Sequence, residues 1–340
     1  MLYIGPPLVL GASLLIGTII KFGIFDVLPL VVTPGSFAHM MHLLWALLLS
    51  VNVLFHYAMG VTTNPGSHGS DVYQKLCEEA KSRGLLKNLK PIILPRPGEW
   101  SKCTKTGLPK PPRSHFDKVT KRLVIQMDHY CPWLFNTVGW ANLRYYMFFQ
   151  VYLVISTLYI TFMTFWPFVS VVGAPTGHEN DEKVWTLPNN STVLKPARDR
   201  IIFLFAVSSP VSTFLFLFLM WNLYLVLTAQ TSVEVQINKL FQKEAVAQGL
   251  VFTNPYDLGY RENWYQAMGR VSPIWHVIPS RHMPPWPPYP TMKGPYSCLH
   301  RKKPAKSDKA NNHKDQKKMG HAEWVMNLVT YEKSSLASSQ

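Results

Sequence analysis

Four long apolar blocks constrain this chain more than any other feature of its sequence. They cover about residues 8–25 (reaching toward 32), 40–59, 145–172 and 201–228. A helix needs about 20 apolar residues to cross a hydrocarbon core. Inside lipid the backbone must also satisfy its own hydrogen bonds, so each block is expected to be a helix. The fold class that follows is an α-helical polytopic membrane protein, with four transmembrane helices and a small irregular cytosolic domain between the second and third. Lys21 and Asp26 interrupt the first block, and a lysine near a span's end can snorkel. That block lacks a basic leader and a small-residue cleavage site, so it reads as a retained span. Ser208, Ser209, Pro210, Ser212 and Thr213 lie inside the fourth block, where helix packing and a kink outweigh a ligand-contact role.

The formal net charge of +15 raises nucleic acid as a partner, but the placement of the charge points to a bilayer. Fourteen Lys and Arg fall in residues 62–144, against four in residues 173–200. That is the positive-inside pattern. It puts 62–144 and both termini in the cytosol and 173–200 in the lumen, and the four apolar blocks decide for the membrane over nucleic acid as the reason for the charge. Two glycosylation triplets, Asn189-Asn190-Ser191 and Asn190-Ser191-Thr192, are consistent with that side. Four cysteines in 340 residues are too few for a disulfide framework and suit a reducing compartment. The domain reading is 1–61, first two spans; 62–144, cytosolic domain; 145–228, last two spans with lumenal loop 173–200; 229–299, cytosolic C-terminal domain; and 300–340, a basic, mostly disordered tail. Within these, 71–89 reads as an amphipathic helix, 91–97 as extended and 231–250 as a helix leaving the membrane. Residues 274–290 read as irregular structure against the membrane or the catalytic loop, and 323–331 as a short helix without a role.

The stretch Met127-Asp128-His129-Tyr130-Cys131-Pro132-Trp133 places an acid, an imidazole and a thiol within four residues. A carboxylate can orient an imidazole, and the imidazole can take a thiol proton, leaving the nucleophilic thiolate. Neighbouring residues do not meet in this way in a helix or a plain strand, so a sharp turn is expected, and Pro132 agrees with one.

With Lys110-Pro111-Pro112-Arg113-Ser114-His115 before it and Val138-Gly139 and Asn142 after it, this stretch resembles the cysteine-rich domain of the DHHC family of protein S-acyltransferases. Thr231-Ser232-Val233-Glu234 resembles the family's Thr-Thr-x-Glu motif. Asn254-Pro255-Tyr256-Asp257-Leu258-Gly259, with Asn263-Trp264, resembles its C-terminal motif. The resemblance implies transfer of a fatty acyl group from acyl-CoA, through an acyl-Cys131 intermediate, to cytosolic cysteines of substrate proteins in an endoplasmic reticulum or Golgi membrane. It also implies roles: Cys131 as nucleophile, His129 as general base, Asp128 as its orienting acid, Ser232 as a hydrogen-bond partner of Asp128, and Trp133 beside the acyl carbonyl. Lys105, Lys110, Arg113, Lys121 and Arg122 are the basic residues that could meet the CoA phosphates, although a basic loop near a membrane is more often a lipid-facing surface.

The chain departs from the family at its metal. Family members bind two structural zinc ions around this stretch. Here Cys103 keeps one ligand position, while Thr106, Phe116, Asp117, Thr120, Leu123, Tyr130 and Thr137 occupy the other seven. Zinc takes Cys, His or carboxylate ligands, four per structural site, so zinc is expected to be lost and no bound cofactor remains. His115 precedes a ligand position by one residue and has no companions. Two readings stay open: an acyltransferase without zinc, and an inactive membrane scaffold that keeps the fold.

Overall fold

The computed structural model describes residues 5–92, 97–179, 182–272, 274–285 and 299–301. Among these, four helical segments are long and apolar enough to cross a membrane: Gly5–Val31, Phe37–Thr62, Leu143–Val172 and Lys195–Leu227. The first is composite. Helix α1 (Gly5–Lys21) passes through a π-helical turn (Phe22–Val27) into α2 (Leu28–Val31), and Asp26 in that turn pairs with Arg200 at 2.7 Å. The second span is α3 (Phe37–Thr62), started by Ser36, whose side chain accepts the His39 amide. This is the ordinary use of serine at a helix N-terminus.

A small domain follows α3. Helix α4 (Asp71–Ser82) is capped by Ser70 and buries Tyr73, Leu76 and Ala80. The amphipathic stretch ends seven residues earlier than expected because turns replace helix from Arg83, where Gly84 adopts φ 73°. Three two-stranded antiparallel ladders come next: β1 (Ser101–Lys102) with β2 (Pro109–Lys110), β3 (His115–Asp117) with β4 (Arg122–Val124), and β5 (His129–Cys131) with β6 (Asn136–Val138). Ladders this short do not hold themselves. The first two are held by an apolar cluster in which α4 packs on Trp100, Cys103, Leu123, Ile125, Trp140 and Ala141, whereas β5 and β6 pack through Cys131 and Val138 on Tyr57 of α3. Gly139 makes the join to the next span possible. A Cβ there would sit 2.6 Å from the Val124 side chain and 2.8 Å from the Pro65 carbonyl oxygen.

The third span is α5 (Leu143–Val172), with Pro167 inside it. Residues 173–194 are not the plain loop expected. They form a three-stranded sheet, β7 (Gly177–Glu179), β8 (Glu182–Thr186) and β9 (Thr192–Leu194), whose Val184, Trp185 and Val193 are buried. The fourth span, α6 (Lys195–Leu227), starts six residues before its apolar run. After it come α7 (Ser232–Ala247), β10 (Leu250–Phe252), α8 (Tyr260–Met268), the single turn α9 (Ile274–Val277) and β11 (Leu299–Arg301). β11 pairs with β10, so the tail departs from its expected lack of structure at His300 and Arg301. The rest of the tail, including 323–331, lies outside the described residues, as do 93–96 of the extended segment and 286–290 of the irregular one.

The main core joins three spans to the C-terminal part: Leu49 and Val53 of α3, Met147 and Phe148 of α5, Leu219 and Val226 of α6, and Ala267 and Met268 of α8. Two buried polar anchors complete it. The Asn263 side chain donates to the Leu227 carbonyl oxygen at 2.7 Å, closing the end of α6. Arg144, 1% exposed, donates to the Ser280 carbonyl and hydroxyl oxygens and to the Trp275 carbonyl oxygen at 2.7–3.0 Å.

Candidate active site

The acid, imidazole and thiol meet, but not in a sharp turn. His129 and Cys131 are the ends of strand β5, with Asp128 immediately before it. Side chains alternate along a strand, so His129 and Cys131 share one face and Tyr130 takes the other. The expectation of a turn overlooked that period of two. The turn comes afterwards, at residues 132–135, where Phe135 has φ 48°. Register fixes the pair from behind: His129 lies opposite Val138, Tyr130 opposite Thr137 and Cys131 opposite Asn136.

Asn136 carries no signal in the sequence beyond its position near the motif, yet it mounts the hairpin on the membrane. Its amide donates to the carbonyl oxygens of Gly60 (3.0 Å) and Thr63 (2.8 Å) at the end of α3. Tyr57 and Tyr146 were also unforeseen. The Tyr57 hydroxyl donates to the Trp133 carbonyl oxygen at 3.0 Å, and the Tyr146 ring meets His129 edge-on at 5.2 Å between centroids. With Leu134 and Val138 these tyrosines enclose Cys131, which is 7% exposed. The Trp133 side chain is 59% exposed, free to face a lipid chain or the bilayer surface.

The electrostatics are those of a charged pair. His129 Nδ1 and Asp128 Oδ2 are 2.8 Å apart. The other carboxylate oxygen accepts the Ser232 backbone amide, and the Ser232 hydroxyl adds a further contact. Burial alone would raise the Asp128 carboxyl; the His129 bond and charge and the Ser232 contacts hold it below the usual range instead. Burial likewise works against a charged imidazole, but the Asp128 bond and the Cys131 contact outweigh it and raise His129 to about 9. At neutral pH His129 therefore holds a proton against a carboxylate on one side and a sulfur on the other.

Ser232 arrives because α7 begins there. Thr231 and Glu234 form a capping box: the Thr231 hydroxyl accepts the Glu234 amide and the Glu234 carboxylate accepts the Thr231 amide. Such reciprocal bonds satisfy the first donors of a helix. Glu234 is held in turn by Arg113, whose Nε and Nη2 donate to its two oxygens at 2.6 Å each while Nη2 also reaches the Ala229 carbonyl oxygen. The guanidinium lies 4.6 Å from the Tyr256 ring centre. This corrects the sequence reading of Arg113 as a CoA contact: its side chain is 4% exposed and its charge is committed. Removing one partner of a buried ion pair leaves the other uncompensated, at a cost of about 3–5 kcal/mol. We expect Arg113→Ala to destabilise the protein by about that amount, read as a lowered thermal midpoint in detergent at pH 7. Lysine should not restore it, since it lacks the planar fork.

The other basic residues divide. Lys105, Lys121 and Arg122 are exposed. Lys110 is half-buried, its charge acting on Cys103 and His115. Burial, reinforced by Lys110, holds His115 down at about 4, so it is neutral. Cys103 lies buried in the apolar cluster under α4, with Leu123 and with Phe116 packed alongside.

The side chains at the positions where the family resemblance implies zinc ligands are poor ones. Beside Cys103 stand Thr106, Phe116 and Leu123, which leaves one thiol in an apolar setting. Asp117 is the lone carboxylate of the rest, and its two oxygens already accept the Val119 amide at 2.8 Å and the Thr120 and Thr137 hydroxyls at 2.7 and 2.5 Å. No group of three His, Cys, Asp or Glu side chains converges among the described residues.

Residues 97–239 match the family model described as DHHC palmitoyltransferase. The chain is 26% identical over 324 residues to palmitoyltransferase ZDHHC16A of Danio rerio, covering 82% of this chain and 77% of that one. It is 28% identical over 292 residues to palmitoyltransferase ZDHHC16 of Mus musculus, covering 83% and 72%. It is 29% identical over 237 residues to probable protein S-acyltransferase 16 of Arabidopsis thaliana, covering 69% and 75%.

Proposed function

Because this chain belongs to the DHHC palmitoyltransferase family, we propose that it acts as a protein-cysteine S-palmitoyltransferase through an acyl-enzyme on Cys131. The observation that carries this is the pairing of His129 and Cys131 on one face of β5 with Asp128 immediately before the strand, the imidazole being bonded on both sides.

In the first step the Cys131 thiolate attacks the thioester carbonyl of an acyl-CoA. A bond from Sγ to the acyl carbon forms and the bond to the CoA sulfur breaks. The imidazolium of His129 gives its proton to the departing CoA thiolate. In the second step neutral His129 takes the proton of a substrate cysteine, whose sulfur attacks the Cys131 thioester. Cys131 leaves as the thiolate beside a restored imidazolium. One thioester replaces another, so no ATP is needed, and the site's work is orientation and proton transfer. Asp128 keeps the imidazole aimed and stabilises its charge, as the acid of a triad does; the Ser232 amide holds Asp128.

The candidate place for the acyl chain lies between α1, α3 and α5. Val9 and Ala12 of α1 pack beside Cys131. Farther along the same rod, Ile20, Gly23 and Ile24 line an apolar cavity of about 90 Å³ with Leu49 of α3 and Ile160 and Met163 of α5. The exposed Lys105, Lys121 and Arg122 are the basic side chains left to meet the CoA phosphates. The proposed setting is an endoplasmic reticulum or Golgi membrane with residues 62–144 in the cytosol, supported by the fourteen-to-four charge bias. Protease added to sealed microsomes is expected to remove a tag placed after Gln340; a tag that survives would overturn this topology.

The function is tested by incubating purified protein with a clickable palmitoyl-CoA and then with a cysteine-containing membrane peptide. Label should appear on the protein, be released by hydroxylamine, and pass to the peptide. If it takes no label where a related enzyme does, the chain is a scaffold instead.

A further inference from the structure

The residues at the family's metal positions have been rebuilt into two different substitutes, and one of them bears on the nucleophile. We propose that this fold holds no structural zinc, and that Asp117, at the centre of a hydrogen-bonded knot in the place of one metal, is a positioning residue for the His129–Cys131 strand. The proposal rests on the acyltransferase reading only in its second part.

The first group has become apolar. Leu123 is fully buried, and with Phe116 and Cys103 it belongs to the cluster beneath α4. Of this group's four positions only Cys103 keeps a side chain that zinc prefers, and Thr106 bonds its sulfur. The second group has become a carboxylate with donors. Asp117 is 2% exposed at the end of β3. It accepts from Val119 and Thr120 in the β3–β4 turn and from Thr137 on β6. Thr120 and Thr137 also approach each other at 3.5 Å between hydroxyl oxygens. Tyr130 stands directly across the ladder from Thr137, and its phenol senses the Asp117 charge. Asp117, Thr120 and Thr137 thus converge, and Tyr130 stands beside them with its hydroxyl buried and making no hydrogen bond among the described residues. The polarity is that of an anion's surroundings: the two threonine hydroxyls point protons at the carboxylate, whereas a cation requires lone pairs.

The consequence for chemistry runs through register. Thr137 is flanked on β6 by Asn136 and Val138, which lie opposite Cys131 and His129. A bond from Asp117 to Thr137 therefore fixes the strand that sets both reacting side chains. A misplacement of about 1 Å can cost about 100-fold in rate.

The test has two arms. Elemental analysis of the purified wild type should find zinc well below one ion per chain, and prior incubation with a strong zinc chelator should leave autoacylation unchanged. About one or two tightly bound zinc ions per chain would overturn the metal-free claim whatever the activity. In the second arm, Thr137→Val should lower the rate of autoacylation roughly 10- to 100-fold with KM for palmitoyl-CoA unchanged, while Thr137→Ser, which keeps the hydroxyl, should stay near wild type. Equal rates for Val and wild type, or equal losses for Val and Ser, would overturn the positioning role. The combined variant Asp117→Cys, Thr120→Cys, Tyr130→His, Thr137→Cys should take up about one zinc per chain. A folded combined variant that takes none would show that the four positions do not converge.

Discussion

Alanine at Cys131 is expected to abolish the hydroxylamine-labile acyl label completely, while Cys77→Ala, Cys103→Ala and Cys298→Ala leave it in place. The expectation rests on surroundings. Cys131 shares a strand face with an imidazole that carries a proton and is aimed by Asp128. Cys77 lies on α4 against the apolar cluster, where burial pushes its thiol up and so favours the unreactive form. Cys103 is buried in the same cluster. Burial would raise its thiol, but bonds from Thr106 and Lys105 and the Lys110 charge hold it below the usual range. What separates it from Cys131 is the His129–Asp128 pair, which is bonded to Cys131. Cys298 lies outside the described residues, and its variant serves as a sequence control. In-gel fluorescence after labelling with a clickable palmitoyl-CoA measures the effect, and persistent label on Cys131→Ala would remove this residue as nucleophile.

The second large effect belongs to His129. Its removal should slow autoacylation by about 10²–10⁴-fold, the usual range for a positioned acid or base. The pH dependence distinguishes proton transfer from simple damage. In the wild type the imidazole titrates near 9, so it is charged below that value and loses its proton as pH rises through it. Donation to the CoA thiolate is lost on the same rise, and the wild-type rate should fall above about pH 9. In His129→Ala the thiol must ionise unaided, so the rate should climb across the alkaline range. Two profiles of opposite slope are therefore expected; parallel profiles would mean that His129 only holds shape. The raised value also ties His129 to stability. Relative to an unfolded pKa of about 6.5, the extra stability is fully present below that value and disappears as pH climbs through about 9. Tyr130→Phe should remain active, since the Tyr130 side chain lies on the opposite face from His129 and Cys131.

The spans were the most legible part, because lipid imposes length and apolarity on each of them. Their ends were less so. α6 begins six residues before its apolar run because Pro196 stands in its first turn and polar side chains carry it out of the bilayer. The sheet over 177–194 was hidden because its strands are three to five residues long and their buried side chains pack on the flanking spans and on the distant first span. At the site, Asp128, His129 and Cys131 were readable as a close-spaced acid, imidazole and thiol, and Ser232 through the resemblance of residues 231–234 to the family motif. The strand beneath them was not, since β5 is three residues long and its partner follows a four-residue turn. Arg113 was misread for an instructive reason. A sequence displays a charge but not its burial, and only the fold shows that Glu234, 121 positions away, neutralises it. Asn136 and Tyr57 were invisible for the same cause, as their partners are backbone carbonyls that no side-chain pattern announces.

The Arg113–Glu234 pair has a consequence for how this chain can change over generations. Each of the two charges is tolerable only in the other's presence, and each is also tied down elsewhere. Arg113 spans Ala229 and Tyr256, and Glu234 starts the helix that carries Ser232 to Asp128. A single substitution at either position must pass through a state with an unpaired buried charge. Descendants are therefore confined to keeping both residues or replacing both together, and the stretch preceding β3 and the start of α7 become one heritable unit although more than a hundred residues separate them.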